Sequence, residues 1–228
     1  MIRLEQVSRS YEKEGRRVDA LCNVNLHLAP GEMAAVIGPS GSGKTTLLNI
    51  LGCLDRPTTG RYLLEGVPVG EMGSRQQADL RNRRIGFVFQ QFHLLPGLTA
   101  EENAALPLML RGESDRIRRD RARAALEQVG LGQRTQHRPA ELSGGQQQRV
   151  AIARVLCADP ALILADEPTG NLDQRAGAEI MDILCTLHQA GKTVLLITHD
   201  AAIARRAPRL LRMENGSLRE ISRPTDTR

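Results

Sequence analysis

Large aromatic side chains are scarce in this sequence. Tryptophan is absent, and only two tyrosines and three phenylalanines occur among the 228 residues, so the core must be built mainly from aliphatic side chains. Stacking surfaces for nucleic-acid bases need aromatic side chains, and the densest basic cluster, Arg116 to Arg123, contains none. Asp115, Asp120 and alanines interrupt this cluster. We interpret it as a solvated helix face and expect no nucleic-acid partner.

Cysteines, lysines and long apolar runs are also few. The net charge of +5 rests almost entirely on arginine, because the chain has only three lysines. No apolar run approaches the roughly 18 residues that span a bilayer, and Met1 to Glu5 has the pattern of a strand rather than of a signal peptide. Any membrane role is therefore expected to come from a partner. The four cysteines form no C-x-x-C pair, which is typical of reduced thiols in a cytosolic protein; they are Cys22, Cys53, Cys157 and Cys185.

A glycine-rich segment lies between an apolar run and a helix-like segment. Met33 to Ile37 has the length of a strand, and Gly38 to Thr45 fits the pattern G-x-x-x-x-G-K-[ST] of a phosphate-binding loop. In such a loop backbone N–H groups and the positive end of a helix converge on one anion. Lys44 supplies a charge for the outer phosphates, and the Thr45 hydroxyl is a ligand for the accompanying Mg²⁺. The candidate nucleotide-binding residues are Gly38, Pro39, Ser40, Gly41, Ser42, Gly43, Lys44, Thr45 and Thr46.

Short apolar segments around this loop predict an antiparallel β layer. Residues 2–7 alternate, and Val18 to Leu28 and Arg61 to Val69 are short apolar segments separated by glycines. Tyr11 falls in the predicted turn region between two of these segments. Its ring is a candidate for stacking on an adenine, and a partly buried structural tyrosine is the alternative.

The composition changes after Gln90. Residues 91–156 have helical periodicity in Asp115 to Val129 and Gln146 to Cys157, which predicts a helical insertion. The apolar runs 161–165 and 193–198 are typical of parallel strands covered on both faces. The predicted fold class is α/β: a phosphate-loop core with a mixed, mainly parallel sheet, an N-terminal antiparallel β subdomain and an inserted α-helical subdomain. We expect one domain over residues 1–228, with the core in 1–90 and 157–228 and the helical subdomain in 91–156.

Three apolar strands are followed by groups that can do chemistry: the phosphate loop, Asp166-Glu167 and His199-Asp200. Ligands of open parallel sheets bind at the carboxyl ends of the strands, so we expect these groups to share one crevice. Asp166 is the predicted second Mg²⁺ ligand, and Glu167 is the candidate general base for an attacking water. A solvated turn is the alternative for this acid pair. His199 is a candidate for hydrogen bonding to phosphate and water; no role is assigned to His27, His93, His137 and His188.

A second anion cradle is predicted at Ser143, Gly144 and Gly145, within the segment Leu142 to Arg149. A serine and two glycines here open a helix, so a hydroxyl and backbone N–H groups meet at its positive end. It lies in the helical insertion, about 100 residues from Lys44, and one triphosphate already has its loop. Two half-sites for one anion indicate that they meet across a dimer.

In order and spacing these motifs resemble the ATP-binding subunits of ABC transporters over essentially the whole chain. Gln90 is similar to the Q-loop glutamine, Asn171 to Asp173 to the D-loop, and His199 to the switch histidine. The resemblance implies a head-to-tail homodimer that closes on two ATP molecules, with Glu167 as general base. It also implies that Gln90 is a Mg²⁺ ligand that senses the nucleotide and contacts the coupling helix of a membrane partner. The signature residues, which would act in trans, are Ser143, Gly144, Gly145 and Gln146; the D-loop residue is Asp173.

Several segments resemble the macrolide-exporter and lipoprotein-release branch of that family. They are 52–60, 86–90, 94–103 and 168–173. The resemblance implies a separate FtsX-like integral-membrane permease of four helices, and a place on the cytoplasmic face of the bacterial inner membrane. Because the chain stops soon after Gly216, it is expected to be a separate subunit without a regulatory C-terminal domain. Cys53 departs from the branch, where glycine is common.

Three functions remain open at the sequence level. The first is an ATPase that powers export or mechanical work through a permease. The second is a regulatory ATPase that switches a cell-envelope partner such as a division-associated hydrolase. The third, a soluble ABC protein on DNA or ribosomes, is disfavoured because such proteins generally carry two ATPase halves per chain and no internal repeat occurs here. The transported substrate is not encoded in recognisable residues.

Overall fold

The computed structural model describes residues 1–13 and 15–221. The end of the predicted core, residues 222–228, lies outside the described residues. Within the described part, ten strands and seven α-helices are numbered in chain order. The strands are β1 Ile2–Lys13, β2 Arg16–Leu28, β3 Met33–Ile37, β4 Thr59–Leu64, β5 Val67–Pro68, β6 Ile85–Phe89, β7 Leu162–Asp166, β8 Thr193–Ile197, β9 Arg209–Glu214 and β10 Ser217–Ile221. The helices are α1 Lys44–Leu51, α2 Ser74–Arg84, α3 Ala100–Leu110, α4 Asp115–Gln128, α5 Gly144–Ala158, α6 Gln174–Gln189 and α7 Ala201–Ala204.

The strands form two sheets, as the α/β prediction requires. The smaller sheet is antiparallel, in the order β2-β1-β4-β5. The larger has the order β10-β9-β3-β8-β7-β6 and is parallel except for the antiparallel edge strand β10. The strands β3, β8 and β7 are therefore direct neighbours, which confirms that their carboxyl ends lie side by side.

Two aliphatic clusters cover the faces of the larger sheet. Alternate residues of β8 belong to different clusters: Val194 and Leu196 to one, Leu195 and Ile197 to the other. β7 divides in the same way, and the strands are buried on both faces. This is the arrangement that continuous apolar strands predict. The core is aliphatic, since Tyr62 is the one aromatic side chain among the buried core residues that are described.

A helical segment lies between β6 and β7. Its three helices α3, α4 and α5 pack on one another. Thr99 caps α3 by accepting a hydrogen bond from the Glu102 N–H while the Glu102 carboxylate accepts from the Thr99 N–H. The helices α4 and α5 begin and end within two residues of the predicted ones. The helices α2 and α3 were not predicted, because α2 is polar along most of its length and α3 is apolar without clear periodicity.

Two local expectations change. Tyr11 does not lie in a turn: β1 continues to Lys13, and Tyr11 pairs with Val18 of β2 in a long hairpin. The residues in this part of the hairpin are mostly polar, so they lack the alternation of apolar and polar residues that predicts a strand. Cys53 has a φ of 55°, in the left-handed region that glycine favours, so the backbone at this position suits the glycine from which Cys53 departs. Burial raises the pKa of the Cys53 thiol to about 11, so the thiol stays protonated at neutral pH.

Candidate functional site

The phosphate loop runs from the end of β3 to the start of α1. Gly43 is the N-cap residue of α1 with a φ of 107°, and a Cβ there would lie 2.4 Å from the Ala20 carbonyl oxygen. A side chain is therefore excluded at Gly43 by both conformation and space. Ser42 is buried, and its hydroxyl has no hydrogen-bond partner among the described residues. The loop thus combines a tight glycine turn with the free N–H groups of a helix start.

Lys44 reaches back across the loop. Its ammonium group donates hydrogen bonds to the carbonyl oxygens of Gly38 at 2.8 Å and of Pro39 at 2.7 Å. The charge is therefore held over the turn whose backbone would surround a phosphate. Its neighbours Thr45 and Ser40 are exposed, so the loop is open to a ligand from solvent.

Asp166 ends β7 beside the loop. Burial, and then the charge of Glu167, raise the pKa of the Asp166 carboxyl, while the charge of Lys44 lowers it in part. A half-buried carboxylate with an unfavourable electrostatic environment fits a bound cation, and carboxylate and hydroxyl oxygens are ligands that suit Mg²⁺. Asp166 and Thr45 would hold that ion, which would supply positive charge beside bound phosphates.

Glu167 is fixed by three hydrogen bonds from the end of β8. Its Oε1 accepts from the His199 backbone N–H at 2.8 Å and contacts His199 Nδ1 at 2.7 Å, while Oε2 accepts from the Thr198 hydroxyl at 3.1 Å. The Glu167 side chain is 16% exposed and that of His199 is 75% exposed. Glu167 also has a φ of 44°, a strained conformation for a non-glycine residue that such contacts hold in place. The sequence analysis missed Thr198, whose signal was a polar residue ending an apolar strand.

Gln90 follows β6, which pairs with β7 so that Phe89 lies opposite Asp166. The Gln90 amide nitrogen donates to Asn171 Oδ1 at 3.1 Å, and the Asn171 amide donates to the Gln90 carbonyl oxygen at 3.0 Å. In this structure the Gln90 side chain is therefore turned to the segment after Glu167. Its role as a Mg²⁺ ligand stays a prediction.

The second anion cradle has the predicted local geometry. Ser143 is the N-cap residue of α5: its hydroxyl accepts from the Gln146 N–H at 3.3 Å, and the Gln146 side chain accepts from the Ser143 N–H at 3.0 Å. Ser143 is exposed. The helix α6 begins in a similar way, since Asp173 Oδ1 accepts from the Ala176 N–H at 2.9 Å. Gly145 lies against Ala176, so the starts of α5 and α6 are close together.

Tyr11 is anchored at one end and covered on one face. Its hydroxyl donates to Asp55 Oδ2 at 2.7 Å, and the Arg9 guanidinium carbon lies 4.5 Å from the ring centroid. Arg9 also binds Asp55. Stacking on an adenine stays a prediction, and it concerns the ring face away from Arg9.

A separate groove of about 820 Å³ lies among α2, the edge strand β6 and the helices α3 and α5 of the helical segment. Its apolar lining includes Phe87, Phe89 and the exposed side chains of Leu54 and Leu110. Its basic lining is formed by Arg75, Arg81, Arg83, Arg111 and Arg154. Exposed aliphatic side chains in a concave basic surface are typical of a protein-binding site. Within residues 1–13 and 15–221, none of the helices has the length and hydropathy needed to traverse a bilayer.

Comparison with known proteins gives consistent results. The family model described as "ABC transporter" matches residues 21–170. An uncharacterized ABC transporter ATP-binding protein of Thermotoga maritima is 50% identical over 223 residues, which are 98% of this chain and 95% of that protein. The macrolide export ATP-binding/permease protein MacB of Brucella melitensis is 47% identical over 96% of this chain, but the match spans only 34% of MacB.

Solved structures of ATP-binding cassettes have the same fold. The dimeric cassette MJ0796 bound to ADP and Pi superposes with a TM-score of 0.90 at 43% identity, over 97% of this chain and 98% of that one. CbiO1 of Clostridium perfringens, part of the transporter complex cbiONQ, superposes with a TM-score of 0.86 at 28% identity, over 96% and 86%. The fold class and the family resemblance inferred from the sequence are thereby confirmed, with MacB-type proteins among the relatives. The chain belongs to the ABC transporter family, as an ATP-binding and ATP-hydrolysing subunit.

Proposed function

We propose that two copies of this chain close head to tail on ATP and drive a separate FtsX-like permease on the cytoplasmic face of a bacterial inner membrane. The observation that carries this proposal is the separation of the groups that would act on one triphosphate. Lys44, Asp166 and Glu167 lie at the strand ends of the sheet, whereas Ser143 lies exposed at the start of α5 in the helical segment. We assign this helical segment, residues 91–156, as a subdomain inserted in the core.

In the proposed site each group has one task. The N–H groups of the loop and Lys44 bind the phosphates, and Thr45 and Asp166 hold the Mg²⁺ that comes with them. Glu167 accepts a proton from the attacking water, and His199, which already contacts Glu167, orients that water or the γ-phosphate. Ser143, Gly144 and Gly145 of the second copy bind the γ-phosphate from the opposite side.

Mixing two inactive variants tests the head-to-tail arrangement. Lys44→Met removes the phosphate charge, and Ser143→Asp keeps a good N-cap residue while placing a negative charge against the phosphate. Each variant alone is expected to lose nearly all ATP hydrolysis. In an equimolar mixture half of the dimers are mixed and hold one intact site, so about a quarter of the wild-type rate is expected.

The control mixture combines Lys44→Met with Glu167→Gln. Both changes lie in the same half-site, so mixed dimers contain no intact site and no recovery is expected. Recovery of ATP hydrolysis in this control mixture contradicts the head-to-tail site. The absence of recovery in the mixture of Lys44→Met with Ser143→Asp contradicts it as well. Steady-state hydrolysis in excess Mg²⁺-ATP is the measurement.

We propose the basic groove as the contact with the permease, and export as the direction of transport, on the similarity to MacB-type proteins. Leu110 is 75% exposed on the groove, and Ile117 is 41% exposed on α4 outside it. Leu110→Asp is expected to lower co-purification of an integral-membrane partner by about tenfold or more, as loss of an interface anchor does. Hydrolysis by the isolated chain is expected to stay within about twofold of the wild-type rate, because both side chains are exposed.

The matched variant Ile117→Asp is expected to retain the partner. Mass spectrometry of the captured membrane protein identifies its class: a permease with four transmembrane helices supports the proposal. A captured cell-wall hydrolase complex without transport activity would favour the regulatory function. Capture of nucleic acid or ribosomes, or equal loss in both variants, contradicts the groove assignment.

A further inference from the structure

Gln148 is a fully buried polar residue in the second turn of α5. Its amide nitrogen donates two hydrogen bonds, to the Phe89 carbonyl oxygen at 3.0 Å and to the Pro168 carbonyl oxygen at 2.7 Å. Its amide oxygen Oε1 is buried and has no hydrogen-bond partner in the part of the chain that is described. The side chain thus uses only its donor end, and that end joins three separate segments.

The two acceptors lie next to the proposed catalytic groups. Phe89 immediately precedes Gln90, and Pro168 immediately follows Glu167. The helix that carries Gln148 begins at Ser143, five residues earlier. A single amide therefore connects the helix start that would face the partner's ATP with both sides of the hydrolytic centre in its own chain.

Two other contacts join neighbouring residues of the same segments. Gln90 and Asn171 bind each other reciprocally. Gly144 lies near Leu172. Because the two Gln148 bonds are short and share one nitrogen, a shift of α5 relative to the sheet must move the Phe89 and Pro168 carbonyls or break a bond.

The amide of Gln148 has one unfavourable end and one end that makes two hydrogen bonds. A buried amide oxygen without a partner is unfavourable, and such exceptions in native structures require a specific explanation. An apolar side chain of similar length would remove this cost, but it would also leave the Phe89 and Pro168 carbonyl oxygens without the donor that they share. The donor end, by contrast, fixes geometry, and displacements of about 1 Å at an active site can lower rates by about a hundredfold.

We propose that Gln148 is a positioning residue for ATP hydrolysis. It holds α5, and with it Ser143, in a fixed orientation to Gln90 and Glu167 of the same chain. This inference rests on the proposed site, because it uses the roles given there to Ser143 and Glu167, together with the Mg²⁺-ligand role that the sequence predicts for Gln90. Gln148 itself touches neither nucleotide nor water in the reaction.

The adjacent residue provides a matched control. Gln147 also donates from its amide nitrogen to two carbonyl oxygens, those of Pro139 and Leu142, both at 3.1 Å. Both acceptors lie within the helical segment, so Gln147 does not connect it to the sheet. Gln148→Met and Gln147→Met are therefore the same chemical change on the same helix.

We expect Gln148→Met to lower kcat for ATP hydrolysis by about tenfold or more while KM for ATP changes by less than about threefold, since the lost interaction acts on the transition state. Gln147→Met is expected to keep kcat within about twofold, because both of its acceptors belong to the helical segment and neither adjoins Gln90 or Glu167. Circular dichroism and thermal unfolding establish that both variants fold. Equal losses of kcat in the two variants, or a raised KM with unchanged kcat, overturn the proposal.

If Gln148→Met does not fold, the Gln148→Asn variant is used to test the proposal. It keeps an amide but is one methylene shorter and cannot reach both carbonyls. A folded Gln148→Asn protein with wild-type kcat overturns the proposal, and one with reduced kcat at unchanged KM supports it. Failure of the proposed site is detected separately: it appears as unchanged hydrolysis by Glu167→Gln, a change that the Gln148 comparison does not contain.

Discussion

Glu167→Gln is expected to lower kcat for ATP hydrolysis by about 10² to 10⁴-fold, the contribution that a positioned general base typically makes. ATP binding is expected to stay within about threefold of wild type, because the change leaves the phosphate loop and the Mg²⁺ ligands intact. Glutamine has nearly the same shape as glutamate, and its amide oxygen can still accept the hydrogen bonds from His199. The lost function is proton acceptance, so the expected product is an ATP-loaded dimer that persists.

Two measurements separate these effects. Single-turnover hydrolysis gives the chemical rate, and size-exclusion chromatography in Mg²⁺-ATP shows the dimer. Glu127→Gln is the control, because Glu127 is an exposed glutamate of α4. A Glu167→Gln protein that hydrolyses ATP within about threefold of the wild-type rate is not missing its general base, and Glu167 would then lose that assignment.

The grouping of the candidate catalytic residues at one edge of the sheet could be predicted from the sequence, because each part depends on local pattern. Continuous apolar strands must be covered on both faces, and a parallel sheet aligns their carboxyl ends. β3, β7 and β8 satisfy both conditions, so the loop, Asp166-Glu167 and His199 lie along one edge. The helix start at Ser143 could also be predicted from the local sequence, because a serine before two glycines and a glutamine predicts a capped helix start.

Contacts between distant segments could not be predicted in this way. The hydrogen bond between Glu167 and His199 joins two residues whose roles were inferred separately, and only the pairing of β7 with β8 brings them together. Gln148 lies in a run of three glutamines that resembles a solvated helix surface. Its burial depends on the way in which α5 packs against β6 and the turn after β7. The prediction of a turn at Tyr11 was wrong because the part of the hairpin that contains it is polar on both faces, and such a strand has no periodic pattern in the sequence.

Lys44→Met is expected to weaken Mg²⁺-ATP binding by about a hundredfold, which corresponds to roughly 2.7 kcal/mol and lies within the range for hydrogen bonds to charged groups. The change removes the positive charge at the loop and also frees the Gly38 and Pro39 carbonyl oxygens that the ammonium group binds. Methionine keeps the length and flexibility of the side chain, so packing around α1 is preserved. Equilibrium titration with ATP at constant ionic strength is the measurement.

Lys192→Met separates this local effect from the loss of one positive charge anywhere in the protein. The Lys192 ammonium group binds Asp159 at 2.6 Å. Lys192 immediately precedes β8, whereas Lys44 follows the end of β3, which is parallel to β8. The two lysines therefore lie at opposite ends of the same sheet. Because charges separated by more than about 10 Å are largely screened at 0.1 M salt, Lys192→Met is expected to leave ATP affinity within about twofold of wild type. Equal weakening by both substitutions would show that the loop has no specific hold on the phosphates, whereas a loss confined to Lys44→Met places the triphosphate at the end of β3.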